Sequence, residues 1–297
     1  MAETNGTWTI RRLLQWTPEF FQKKGIDQPR LSAELLLSHV LKLPRIALYT
    51  DYERVLDQPQ LASYRELVRR AGADEPIAYL TGRAHFFNME FEVSADVLIP
   101  RPDTETLVEN VLQTVRHRGG LESPRVLDLC TGSGCVAAAI AQNLKAATVV
   151  AIDISSAAVA VAKRNIEQLK LADRVMVEEG DLFEPISRLV DARPFDIIVA
   201  NPPYIATGQM ATLDASVRDY EPALALDGGL DGLLIHRRIL QGAAAHLMPN
   251  GLIFLEIAFD QGSAIKQLAG EFDEFEESRL LKDYGGRDRV ITMQKKK

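Results

Sequence analysis

From Arg125 onward the chain alternates short apolar runs with longer stretches of helical period, and this alternation limits the fold more than any other feature of its 297 residues. The order is VLDLC then VAAAIAQNL, TVVAID then AAVAVAKRNIEQL, then RVMVEE, FDIIVA, a long helix near Gly232 to Leu247, and GLIFLEI. Strands apolar along their whole length are covered on both faces, and strands separated by helices return in the same direction. These are therefore βαβ units of a mostly parallel α/β sheet. Ligands of such sheets lie at the carboxyl ends of the strands, so chemistry is expected where each strand stops.

The preceding residues have another character. Residues 7–82 read as short helices, with apolar residues at helical spacing (Ile10, Leu13, Leu14; Leu31, Leu35, Leu36, Val40; Leu61, Tyr64, Leu67, Val68). Pro18, Pro29 and Pro59 suit first helical turns, and Gly25 and Gly72 suit helix ends. No titratable cluster or glycine loop occurs there, so this segment supports or recognises rather than catalyses. From His85 to Val93 the period becomes two, with Phe87, Met89, Phe91 and Val93 on one face, which predicts one strand of a hairpin joining two domains. In LIPRPDTE, Pro100 and Pro102 stiffen the chain and Thr104 is placed to cap a helix carrying Leu107, Val108, Val111, Leu112 and Val115, which stops at Gly119 and Gly120.

Charge excludes some functions. The net charge is −7, and it divides into +2 for residues 1–84 and −9 for residues 85–297. An acidic C-terminal two-thirds opposes a protein that coats nucleic acid through its phosphates, so no stable nucleic-acid partner is expected. Cys130 and Cys135 have no second Cys or His pair nearby, so neither a metal site nor a disulfide framework is expected, and a reducing cytoplasm fits. The opening MAETNGTWTIRRLLQW lacks the apolar run of a signal peptide, and no membrane span is expected. Lys295 to Lys297 read as a solvated tail.

Two motifs carry chemistry. The first is Asp128-Leu129-Cys130-Thr131-Gly132-Ser133-Gly134, a strand end turning sharply into a helix so that backbone N–H groups face a ligand. Gly132 to Ala137 also satisfies G-x-G-x-x-A, and Asp153, 19 residues after Gly134, could bind a ribose diol in either a methyl-donor or a dinucleotide enzyme, or simply cap a helix. Asp128 favours the donor, because a carboxylate before the turn opposes a pyrophosphate but suits the cationic ammonium end of S-adenosylmethionine.

The second motif is Asp196-Ile197-Ile198-Val199-Ala200-Asn201-Pro202-Pro203-Tyr204-Ile205, an apolar strand running into a stiffened turn. A planar amide or exocyclic amine is a poor nucleophile because its nitrogen lone pair is delocalised. A catalyst must hold both N–H bonds so that the lone pair turns toward the methyl group. The side-chain carbonyl of Asn201 and a main-chain carbonyl of the turn, at Pro202, are suitable acceptors, and Tyr204 offers a flat face to a planar group. A Pro-rich surface turn is the plain alternative.

Over most of its length the sequence resembles the release factor glutamine methyltransferases, the HemK/PrmC family, through LIPRPDTE, VLDLCTGSG, AIDIS, GDLF, VANPPYI, EPALALDGGLDGL and YGGRDRV. The resemblance implies a helical substrate-recognition domain (1–84), a β-hairpin linker (85–100) and a class I, Rossmann-like, S-adenosylmethionine-dependent methyltransferase domain (101–297). It implies that Asn201, Pro202, Pro203 and Tyr204 hold the glutamine of a Gly-Gly-Gln motif in class 1 peptide release factors. It further implies that Cys130, Thr131, Gly132, Ser133 and Gly134 line the methionine part of the donor, that Asp153 binds the ribose and that Leu182 lies at the adenine. Cys130 departs from the family pattern, which commonly has glycine there. Asp227-Gly228-Gly229 reads as a turn before a helix, and Glu256 as either a support for the site or a capped structural carboxylate.

Three rivals share some of these features. An N6-adenine nucleic-acid methyltransferase uses the same Asn-Pro-Pro-Tyr logic, a ribosomal-protein glutamine methyltransferase shares nearly every motif, and an NAD-linked dehydrogenase shares only the glycine pattern.

Overall fold

The computed structural model describes residues 7–297; the first six residues lie outside the described ones. The chain divides into two compact units, one of residues up to Gly82 together with Asp214–Tyr220, the other of Arg83–Leu213 and Glu221–Lys297.

The first unit contains α1 (Ile10–Lys23), α2 (Pro29–Leu41), α3 (Arg45–Thr50), α4 (Gln58–Ala71) and α5 (Ile77–Thr81). Phe21, Leu36, Leu37, Leu48 and Tyr64 are buried at its centre, and the Tyr64 hydroxyl donates to Thr17 Oγ1 at 3.1 Å. Pro29 and Pro59 occupy first turns as the sequence suggests. Pro18 does not: α1 starts earlier, where Thr9 caps the Arg12 amide, and Pro18 lies within the helix with its missing N–H opposite the Leu14 carbonyl. Residues 214–220 join this unit although in sequence they fall inside the second unit, and the Tyr220 hydroxyl donates to the Ala73 carbonyl at 2.8 Å. A contiguous boundary drawn from composition could not have included them.

The second unit opens with β1 (Arg83–Phe86) and β2 (Met89–Glu92), paired antiparallel. The expected single strand is therefore a complete hairpin. Phe87 and Asn88 form its two-residue turn with positive φ (51° and 61°), a conformation that sequence signals usually mark with glycine. Phe86 and Phe91 pack into the core of this unit against the next helix, and Asn165 receives a hydrogen bond from the Glu92 amide (2.7 Å) and donates one to its carbonyl (3.0 Å). The hairpin is thus docked on its own unit rather than strung free.

The remaining elements are α6 (Glu105–His117), β3 (Arg125–Leu129), α7 (Cys135–Asn143), β4 (Thr148–Asp153), α8 (Ser156–Gln168), β5 (Val175–Glu179), β6 (Phe195–Ala200), α9 (Ala215–Arg218, in the first unit), α10 (Leu234–His246), β7 (Leu247–Glu256), α11 (Gly262–Ala269), β8 (Arg279–Lys282) and β9 (Asp288–Gln294). The sheet order is β5-β4-β3-β6-β7-β9-β8, parallel from β5 to β7 and antiparallel at β9 and β8. Alternate residues of the strands face opposite cores. Val126 and Val149 pack with α6, α7 and α8, while Leu127, Leu129 and Ile152 pack with α10 and α11. Chain direction across the sheet reverses at β3, which opens a crevice at the carboxyl ends of β3, β4 and β6.

Candidate active site

The turn after β3 is built from left-handed backbone at Cys130 (φ 58°), Gly132 (56°) and Gly134 (79°), and α7 starts immediately afterwards. Gly134 is needed for close packing, because a Cβ there would lie 3.3 Å from the Ala162 side chain. A Cβ on Gly132 would instead meet no atom within 4 Å, which leaves the backbone open to a ligand in the cleft. Side chains pin the turn from below. Asp128 Oδ2 accepts from Thr131 Oγ1 (2.6 Å) and the Ala137 amide (3.1 Å), and Asn165 Nδ2 donates to the Ser133 carbonyl (2.9 Å). Asp153, at the end of β4, accepts from the Gly132 amide (2.8 Å) with one oxygen and from the Ser155 amide (3.0 Å) with the other.

These contacts revise two sequence readings. Asp128, read from the sequence as facing a cationic ammonium, borders the cleft but is buried, and its Oδ2 organises the turn. Burial pushes its carboxyl up to about 7. Asp153, raised in the same direction by burial, is a strut of the glycine turn as well as a wall of the cleft. The thiols of Cys130 and Cys135 are also pushed up by burial, Cys135 to about 12, so neither is a ready thiolate.

The cleft is bordered by Cys130, Thr131, Gly132, Ser133, Asp153, Leu182, Asn201 and Pro203, whereas Gly134, Pro202 and Tyr204 stand behind its walls. Leu182 adopts left-handed backbone (φ 51°), and beside it Asp181 pairs with Arg238 of α10 at 2.7 Å. Among the described residues no group of three or more His, Cys, Asp or Glu side chains is placed to hold a metal ion, and no helix is long and apolar enough to cross a membrane.

Asn201 follows the last residue of β6. Its Nδ2 donates to Thr104 Oγ1 at 3.1 Å, which leaves its carbonyl oxygen for the cleft. Thr104 was expected to cap α6, yet it makes no cap bond. Residues Pro102–Thr104 form a 3-10 turn, and the helical backbone at Thr104 directs its hydroxyl to the site instead. The Tyr204 hydroxyl donates to Glu256 Oε1 at 3.4 Å, and the Tyr204 carbonyl accepts from Gln261 Nε2 at 2.9 Å.

The segment Glu221–Gly232 holds the far side of the turn. Ile205 exchanges backbone hydrogen bonds with Leu226 (3.0 Å) and Gly228 (2.8 Å), and a Cβ on Gly228 would fall 2.8 Å from the Pro203 carbonyl oxygen. This segment, read from sequence as a turn before a helix, is a clamp on Asn-Pro-Pro-Tyr. The buried Glu221 fixes its start, accepting from Arg101 and from the Ile99 amide.

Beneath the turn lies buried charge. Glu256 is fully buried at the end of β7, and burial pushes its carboxyl up to about 7. Arg289, also buried, pairs with Asp103 (2.8 Å) and Asp283 (3.3 Å). His236 Nε2 bonds the Glu256 carbonyl at 2.8 Å, and burial pulls the imidazole down to about 4, so it is neutral near pH 7. The sequence left Thr104, Glu221 and Arg289 without these parts. Their only signal was their place in LIPRPDTE, EPALALDGG and YGGRDRV.

A glycine turn on β3, an acid ending β4 and Asn-Pro-Pro-Tyr ending β6, on a sheet of this order, define a class I, S-adenosylmethionine-dependent methyltransferase domain. The family described as "Methyltransferase small domain" matches residues 102–284, and "PrmC N-terminal domain" matches residues 12–82. The chain belongs to the release factor glutamine methyltransferases. It is 41% identical over 298 residues, covering 99% of this chain and 100% of the relative, to the release factor glutamine methyltransferase of Rhodopirellula baltica. The enzyme of that name from Geobacter sulfurreducens is 41% identical over 293 residues, 98% of each chain. The catalytic domain of hMettl16, solved in complex with MAT2A 3′UTR hairpin 6, shares the fold at 16% identity (TM-score 0.54, 82% of this chain and 84% of that one).

Proposed function

We propose that this protein transfers a methyl group from S-adenosylmethionine to the side-chain amide nitrogen of the glutamine in the Gly-Gly-Gln motif of class 1 peptide release factors, in the cytoplasm. The observation that carries this reading is the orientation of Asn201. With its Nδ2 engaged by Thr104, its carbonyl oxygen is the atom presented at the cleft beside the glycine turn.

The residues at the cleft fit the donor. The open face of Gly132 admits close approach, Cys130 to Ser133 cradle the methionine part with Gly134 holding the turn behind them, Asp153 takes the ribose hydroxyls and Leu182 borders the adenine. S-adenosylmethionine supplies an electrophilic methyl group whose bonding electron pair passes to sulfur on transfer. Asn201 accepts one N–H of the substrate amide, and a carbonyl of the Pro202–Pro203 turn accepts the other. The nitrogen lone pair then points at the methyl group. Tyr204, behind the wall, holds the turn through Glu256 and Gln261. No general base is needed, because the methylated amide nitrogen sheds its proton readily.

The test is incubation with a class 1 release factor, with ribosomal proteins and with adenine-containing nucleic acid in parallel, followed by mass spectrometry of the digests. A single added methyl on the Gly-Gly-Gln glutamine is the expected result. Methylation of a ribosomal-protein glutamine or of adenine alone would overturn the substrate assignment.

A further inference from the structure

Five aspartates border the cleft, yet the donor carries an anion as well as two cations. The ammonium and sulfonium of S-adenosylmethionine suit acidic walls. Its carboxylate does not, and it needs a cation or N–H donors of its own. Among the described residues, Arg101 and Arg238 are the only cationic side chains at the border of the cleft. Arg238 stands at the adenine end, paired with Asp181 beside Leu182 at 2.7 Å. Arg101 stands at the other. The Thr104 amide donates to the Arg101 carbonyl at 3.1 Å, and Thr104 Oγ1 receives Asn201, beside which the methyl group leaves sulfur. Only the short methionine chain separates that sulfur from the carboxylate.

The chain also fixes where Arg101 can go. Pro100 and Pro102 stiffen the backbone on either side of it, which is extended at φ −101° and ψ 143°. Its Nη2 donates to the buried Glu221, whose other oxygen accepts from the Ile99 amide at 3.3 Å. The side chain remains 34% exposed, and a guanidinium has further N–H donors to offer. One guanidinium can serve two carboxylates, as Arg289 does with Asp103 and Asp283 in the same unit. We infer that Arg101 is the anchor for the carboxylate of the donor, held in place by Glu221 and donating to the ligand with the rest of its fork. The inference rests on the reading of this cleft as the S-adenosylmethionine site.

The test compares two ligands on the full chain by calorimetry: S-adenosylmethionine and its decarboxylated analogue, identical except for a hydrogen in place of the carboxylate. Wild type should bind the donor at least about tenfold more tightly than the analogue, the scale of a charge-assisted pair. Arg101→Met should weaken donor binding by about tenfold and analogue binding by less than about threefold, so that the preference collapses. Arg101→Lys keeps the cation and should retain part of the preference. Binding of the analogue also reports that each variant has a folded cleft. An unchanged preference in Arg101→Met, or an equal loss of both ligands, would overturn the assignment. So would a wild type that binds the two ligands equally, and this arm decides even if Arg101→Met fails to fold. A wild type that binds neither removes the reading of the cleft itself, whereas tight donor binding with an unchanged preference in Arg101→Met removes only the role of Arg101.

Discussion

At the scale of single residues, backbone conformation sets a cost for the cysteine in the glycine turn. Cys130 stands at φ 58°, in the left-handed region where an L side chain is strained by about 1–2 kcal/mol and glycine is not. Cys130→Gly should therefore raise stability by up to about 1 kcal/mol, after the added freedom of glycine in the unfolded chain is deducted. Thermal or urea unfolding would measure it, and a clear loss of stability would mean that Cys130 packing outweighs the strain. Asp153 makes a second residue-scale case. Its carboxylate bonds the Gly132 and Ser155 amides, so Asp153→Ala should weaken donor binding by about 1.5–3 kcal/mol and also loosen the glycine turn. Calorimetry should find Asp153→Asn milder than alanine, because the amide oxygen keeps one backbone bond. Equal affinities for all three proteins would show that the ribose and the turn are held elsewhere.

At the scale of elements, the clamp from Glu221 to Gly232 and the buried end of β7 make different demands. Gly228→Ala would drive a Cβ to 2.8 Å from the Pro203 carbonyl oxygen and 2.7 Å from that of Gly232, both backbone atoms that cannot rotate away. The Asn-Pro-Pro-Tyr turn must shift, and methylation should fall by at least about tenfold while donor binding changes little. A wild-type rate would mean that the clamp is slack. For β7 the readout is pH. Glu256 keeps its proton in the fold up to about 7, whereas an unfolded glutamate loses it near 4.5, so the folded chain binds the extra proton between those values. Stability from this group is full below about 4.5 and is lost as pH rises toward 7, even though Arg289 opposes the shift and Asp103 reinforces it. Glu256→Gln should gain on wild type across that window by roughly 3 kcal/mol at most. His236 has the opposite sign. Buried neutral, it costs stability as pH falls from 6.5 toward 4, in wild type and variant alike, and so cancels from the comparison. A wild-type minus variant difference that stays flat between pH 4.5 and 7 would contradict the shift.

At the scale of the whole molecule, the parts legible in the sequence were those written in local period and local turn chemistry. The alternation from Arg125 to Glu256 gave β3 to β7 and the helices between them, since apolar runs report burial on both faces directly. The glycine turn and Asn201 to Tyr204 were legible for the same reason. What escaped was long-range. The turn at Phe87 and Asn88 carries no glycine, β8 is short and partly polar, and the hydrogen bonds of Thr104 to Asn201 and of Glu221 to Ile99 span 97 and 122 residues. No window along the chain contains both ends of such bonds. Residues 214–220 escaped because they join a unit whose other members end at Gly82. On the proposed division of labour, the helical unit docks the release factor and the cleft binds the donor. Removing residues 1–82 should then spare donor affinity and sharply slow methylation of intact release factor, and full-rate methylation by the truncated chain would end the recognition role.

The central claim is that Asn201 accepts from the substrate amide during transfer, and the most direct measurement is the single-turnover rate of Asn201→Ala with saturating donor and release factor. The acceptor matters most as the nitrogen leaves planarity, so the barrier should rise by at least ~3 kcal/mol, or ~10²-fold in rate, with donor affinity changed less. Asn201→Asp keeps an acceptor but loses the NH₂ that Thr104 receives, and should fall between alanine and wild type. A wild-type rate in Asn201→Ala would contradict the account and leave the Asn-Pro-Pro-Tyr turn as scaffolding alone.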